Sequence, residues 1–179
     1  MPVQTRAPQV THSSLERFNA APTDEAARTL LACLNSRDWA HRLTAHRPYP
    51  DLLSLLAAAD EAAYDLTAQD LAEALAAETL PALPEDTYAA AHTALSAATA
   101  AYEARFGHVF VICVDGLSAD EALDHVLAAI RSRLTNDPDE ERLVAAEELR
   151  RLARGRLTDA LQGRGAVTSA APPRGAAGH

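Results

Sequence analysis

Apolar residues recur along this chain at three- and four-residue intervals between short polar caps, a pattern that predicts helices almost throughout. Thr23, Asp24 and Glu25 open one helix carrying Ala27, Leu30, Leu31 and Leu34. Ser36 caps a short second helix with Trp39, Ala40 and Leu43, which should stop near Arg47-Pro48 because the residue before proline avoids helical geometry. Asp51 starts a third over Leu52, Leu53, Leu55, Leu56, Ala59 and Ala63, and Thr67 with Asp70 resembles a capping box ahead of Leu71, Ala74 and Leu75. Past the proline-containing stretch 80–84, Tyr88, Leu95, Tyr102 and Phe106 trace one face of a long helix that Gly107 can terminate. Ser118 and Glu121 form another capping box before Leu123, Val126, Leu127, Ile130 and Leu134. Asp137-Pro138 then supplies an N-cap and first-turn proline for a last helix through Leu143, Leu149 and Leu152. Arg150, Arg151, Arg154 and Arg156 read as complements to its carboxyl end.

One run breaks the helical rhythm. Val109 to Val114 is continuously apolar but too short for a helix of its own, so it should be a buried extended segment with its backbone groups paired inside the domain. The expected architecture is all-α: about seven helices without a sheet of three or more strands, in one domain over residues 15–162. Residues 1–14 and 163–179 lack a hydrophobic pattern and are expected to be disordered tails.

Composition narrows the chemistry. A net charge of -9 would repel nucleic acid and anionic membrane, and no apolar run approaches the length of a membrane span, so a cytoplasmic protein is the expectation. All 16 basic residues are arginine, which excludes mechanisms built on a lysine Schiff base. Cys33 and Cys113 sit among apolar neighbours without metal or redox spacing and read as buried small hydrophobes. No Gly-rich phosphate loop, metalloprotease helix or nucleophile elbow occurs, so any chemistry is expected to need neither metal nor cofactor.

Several blocks, in order, carry a family likeness: Arg17-Phe18-Asn19-Ala20 with Pro22; Leu30-Leu31-Ala32-Cys33 with Trp39; Arg47-Pro48-Tyr49; and Glu73-Ala74-Leu75-Ala76. Tyr102 to Phe110, running into Ile112-Cys113 and Gly116-Leu117-Ser118, is the most specific. Arg133-Leu134, Asn136-Asp137, Glu141, Glu147-Glu148-Leu149 and Arg156-Leu157 close the series. Over roughly Leu15 to Leu161 the chain resembles the 2-oxo-4-hydroxy-4-carboxy-5-ureidoimidazoline (OHCU) decarboxylases of urate breakdown. The resemblance implies an all-α, cofactor-free homodimer that removes CO₂ from a urate-derived ureide to give S-allantoin, with a histidine as proton donor. It also implies substrate contacts from the main chain of Phe110, Val111, Ile112, Cys113 and Val114 and from Arg156.

The sequence departs from that family where the chemistry sits. The His-Pro-Arg-Ile-Gly motif is absent, Glu78 stands at the histidine position with Thr79-Leu80-Pro81 after it, and the following segment is shorter and lacks the Glu-Gln pair. Thr99 also stands in place of a family asparagine. The catalytic group is therefore unassigned. Glu78, His92 and His108 are the candidates for a replacement acid, each weighed against a plainer state: a solvated helix-end carboxylate, or a surface or core-edge imidazole. Arg156 has its own plainer reading, a helix-end arginine satisfying carbonyls. The functional expectations are a decarboxylase-like protein of urate degradation acting on a small ureide, a non-catalytic paralogue binding a small ligand or partner subunit, or an enzyme with a changed substrate.

Overall fold

The computed structural model describes residues 13–80 and 89–162. Tyr88, most of the proline-containing stretch and the expected tails lie outside these residues, apart from Ser13 and Ser14, which cap and open the first helix. Eight helices and no strand occur among the described residues: α1 (Ser14–Ala20), α2 (Thr23–Cys33), α3 (Arg37–Ala45), α4 (Leu52–Tyr64), α5 (Ala68–Ala77), α6 (Ala89–Phe106), α7 (Ala119–Arg133) and α8 (Pro138–Gln162).

Local chemistry sets most of the boundaries. Ser36 and Asp51 accept from the amides of Trp39 and Ser54 at the starts of α3 and α4. Thr67 with Asp70 and Ser118 with Glu121 close reciprocal capping boxes on α5 and α7. At α8 the Asp137 carboxylate accepts from the amides of Asp139 and Glu140, as its place before Pro138 predicts.

Two elements differ from the sequence reading. Helix α1 was not expected; Ser13 and Glu16 form a capping box on it, but only Phe18 of its seven residues is buried, too little for a periodic signal. Helix α8 continues about ten residues beyond Leu152, because Leu157 is in the core and Leu161 packs against it. The arginines read as helix-end complements instead lie mid-helix and pair with carboxylates: Arg150 and Arg154 with Asp60 of α4, Arg156 with Glu78.

Helix α8 is the axis of the larger core, packing against α1, α2, α4 and α5. Trp39, Leu30, Leu55, Leu149 and Leu157 are almost wholly buried there, and the Trp39 indole donates to the Ala59 carbonyl at 2.9 Å. A second cluster joins α6 and α7 through Leu95, Tyr102, Val126 and Ile130.

The segment 109–114 runs between these two cores in extended form. Val109 and Val111 pack into the α8 core, while Phe110, Ile112 and Val114 pack into the α6–α7 core, the twofold alternation of an extended backbone. Among the described residues it has no neighbouring strand, and side chains hold part of its backbone. Arg133 Nη1 donates to the Val111 carbonyl at 2.7 Å, and the Cys113 amide donates to a Glu148 carboxylate oxygen at 2.8 Å.

Arg133 is held by the fully buried Glu141, which accepts from its Nε at 2.8 Å, from Asn136 Nδ2 at 2.9 Å and from the Tyr102 hydroxyl. The guanidinium also lies over the Phe110 ring, 4.4 Å from its centroid. Burial, followed by the bond to Glu141, pushes the Tyr102 hydroxyl well above the usual phenol range.

Removing one partner of such a pair strands a buried charge, a cost of about 3–5 kcal/mol. Glu141→Ala is therefore expected to lower the urea unfolding free energy by about that amount, whereas Asp139→Ala, which breaks an exposed pair with Arg142, should change it by less than about 1 kcal/mol. Equal effects of the two substitutions would contradict this account of the core.

Candidate functional site

A cavity of about 370 Å³ lies where the extended segment meets α8 and the end of α5. Val111, Ile112 and Val114 form one wall, Leu152 and Arg156 of α8 another, and Glu78, Thr79 and Leu80 a third. The structure thus brings three of the segment's residues together with Arg156. Phe110 and Cys113 do not line the cavity: the Phe110 ring is buried in the α6–α7 core, and the Cys113 amide is taken by Glu148.

Glu78 has a different setting from the solvated carboxylate that its helix-end position suggests. Helix α5 ends at Ala77 without a glycine, and Glu78 continues in extended backbone (φ -79°, ψ 150°), its amide donating to the Leu75 carbonyl. The chain thereby turns toward α8, and the Glu78 side chain is only 7% exposed. Both of its oxygens accept from Arg156, Oε1 from Nη1 at 2.7 Å and Oε2 from Nη2 at 2.8 Å, a bidentate fork. Nη1 also donates to the Cys33 carbonyl at 3.1 Å. The bond from Glu78 raises the Arg156 pKa further above its ordinary range, against an opposing effect of burial.

Several main-chain polar groups of the residues that line this space have no protein partner. Among the described residues, the N–H groups of Val111, Ile112 and Val114 and the carbonyl of Ile112 meet no protein hydrogen-bond partner, although Val111 and Ile112 are buried.

The two candidate histidines lie elsewhere. His92 is exposed on α6. His108 is half-buried edge-on to Tyr102, with Nδ1 3.0 Å from the Val109 carbonyl, and it lines a separate cleft of about 660 Å³ with Glu103, Phe106 and Arg142. Glu78 borders both spaces, but among the described residues no imidazole lines the cavity at Arg156. Among the described residues no group of three His, Cys, Asp or Glu side chains is placed to hold a metal ion.

Sequence reasoning did not pair Glu78 with Arg156, nor Glu148 with the Cys113 amide; both contacts join residues far apart in sequence and have no local signature. The arrangement can grip a small molecule through main-chain donors and an acceptor beside apolar side chains. Among the described residues that line the cavity, the ionisable side chains are Glu78 and Arg156, and these are paired with each other.

The OHCU decarboxylase family model matches this chain in two overlapping spans, residues 19–91 and 80–158. Among solved structures, the chain is similar to a crystal structure of (S)-allantoin synthase (22% identity, TM-score 0.64), covering 82% of this chain and 54% of that one. The chain therefore spans about half the length of that relative. It is also similar to a crystal structure of OHCU decarboxylase in the presence of (S)-allantoin (21% identity, TM-score 0.66), covering 80% of this chain and 99% of that one. These structures share the helical fold. No curated protein matches the sequence at the same stringency.

Cys33, whose carbonyl helps hold Arg156, has a thiol that burial pushes up from 9.0 to about 11, partly offset by Arg156. The unfolded chain loses this proton near 9 and the folded chain only near 11, so stability is expected to fall as pH rises through that window. Two units correspond to roughly 2–3 kcal/mol. Urea titrations of wild type and Cys33→Ala between pH 8 and 11 should show the difference between the two shrinking or reversing by about this much. A constant difference would contradict the placement of the thiol.

Proposed function

The chain belongs to the OHCU decarboxylase family, and on that premise we propose that it is a ligand-binding member of urate breakdown that holds a small ureide in the Arg156 cavity without decarboxylating it. The observation that carries this reading is the Glu78–Arg156 fork: the carboxylate that the sequence resemblance aligns with the family's histidine accepts, through both oxygens, hydrogen bonds from the cavity's own arginine.

Loss of CO₂ from a ureidoimidazoline leaves an electron pair that the ring carbonyl delocalises and that an acid must finally protonate. Glu78 in this fork accepts and does not donate. His108 opens on the neighbouring cleft and His92 on solvent. A positioned general acid contributes about 10²–10⁴-fold, and blocking the arginine that would orient a substrate carboxylate compounds the loss.

Binding needs less. The cavity volume lies within the range of small-molecule sites, about 300–1,000 Å³, and it combines apolar walls with main-chain hydrogen-bonding groups. A cytoplasmic location and a homodimer belong to the same proposal. Among the described residues no helix is long and apolar enough to cross a membrane.

With urate oxidase and hydroxyisourate hydrolase supplying fresh substrate, the purified full chain is expected to leave the rate of chiral S-allantoin formation, followed by circular dichroism, at its spontaneous value. An enantiospecific rate proportional to protein concentration would overturn the reading. Loss of that rate in Glu78→Gln alone would then identify Glu78 as the acid.

A further inference from the structure

Arg156 is the only arginine among the described residues that line the cavity, and its Nη1–Nη2 edge is already filled by a carboxylate from the same chain. An incoming carboxylate must either displace Glu78 from Nη1 and Nη2 or take the remaining Nε edge beside a carboxylate of like charge. Glu78 is 7% exposed, so displacement either leaves a nearly buried carboxylate without its cation or requires the end of α5 to move. Glu78 also competes from a tether. A group held on the same chain acts at an effective concentration of about millimolar or more, which a dissolved anion must exceed or out-bind. The apparent affinity for an anion falls by the fraction of time that the fork is closed.

An uncharged ligand meets no such competition. Together Glu78 and Arg156 present no net charge, and the cavity is also lined by Val111, Ile112 and Val114, among whose main-chain groups the N–H and C=O of Ile112 and the N–H of Val114 have no protein partner among the described residues. Buried main-chain groups of this kind require partners of opposite hydrogen-bonding sense. A ring with alternating N–H and C=O groups supplies both, whereas a carboxylate supplies acceptors only.

We infer that Glu78 is a specificity-determining residue that closes the Arg156 fork and makes the cavity selective for uncharged, amide-rich ring ligands of the cyclic ureide class over their carboxylate counterparts. This inference rests on the reading of the cavity as the ligand site and adds the charge class of what it holds. Glu78 acts as a built-in carboxylate, and removing its charge hands the fork to an external anion.

A matched pair of probes separates the charge effect from shape: hydantoin-5-acetamide, uncharged near pH 7, and hydantoin-5-acetate. Isothermal titration of the full-length wild type is expected to give at least about tenfold tighter binding of the acetamide, the scale of one or two charge-assisted contacts withheld from the acetate. Glu78→Gln should reverse the order, with the acetate gaining at least about tenfold while the acetamide changes little. Glu78→Ser provides the same arm should the glutamine variant fail to show a cooperative thermal transition. Wild type binding the acetate as tightly as the acetamide would overturn the inference, as would a selectivity ratio unmoved by both substitutions while both probes bind. Binding of neither probe to wild type or variants would instead remove the cavity as the ligand site, and the inference with it.

Discussion

Arg133, the last residue of α7, holds an extended segment in place between two helical cores that would otherwise have no reason to enclose it. A backbone of six apolar residues with no neighbouring strand among the described residues must place its polar groups somewhere, and here a buried guanidinium takes the Val111 carbonyl. Burying that charge costs several kcal/mol, and the cost is tolerable because Glu141 neutralises it while Asn136 and the Tyr102 hydroxyl occupy the remaining acceptor sites. Phe110 beneath the guanidinium adds a stacking contact and closes the α6–α7 core. No buried side-chain polar atom among the described residues is left without a partner, the condition under which such a network specifies one arrangement.

That arrangement supplies the fixed side of the cavity. With Val111 pinned by Arg133 and Cys113 by Glu148, the intervening Ile112 peptide has little freedom and presents its N–H and C=O from a rigid support. The opposite side is built differently. Glu78 lies one residue past the end of α5 and is held chiefly by its bonds to Arg156 and by its amide bond to Leu75. One wall is therefore set by a buried network, and the other by a single ion pair whose arginine is 39% exposed. The affinity and charge preference of the cavity depend on that second, simpler contact.

Most of the helical frame was legible because its signals are local. Ser36, Asp51, Thr67 with Asp70, Ser118 with Glu121, and Asp137 before Pro138 each mark a helix start through a bond spanning two or three residues. The apolar run at 109–114 was also readable as buried and extended. Its alternation between two cores was not, since every position is apolar and period alone assigns no face. The overlooked α1 and the underestimated length of α8 have one cause: a single buried phenylalanine and a run of arginines give weak or contrary periodicity, and tertiary packing decides. Arg133 and Glu141 appeared only as members of the family-like blocks, and nothing local to either marks their buried pairing. Glu78 looked like a solvated helix-end acid, and only the packing of α5 beside α8 brings it to Arg156.

The fork itself can be observed in solution. In selectively labelled protein, a guanidinium held by a bidentate carboxylate rotates slowly about its Cζ–Nη bonds and shows distinct Nη resonances. The account predicts that wild-type Arg156 shows separate Nη1 and Nη2 signals near neutral pH and that they coalesce in Glu78→Gln. A wild-type Arg156 whose Nη signals are already averaged, and unchanged by that substitution, would mean the fork is open and would contradict the central claim that this chain occupies its own anion site.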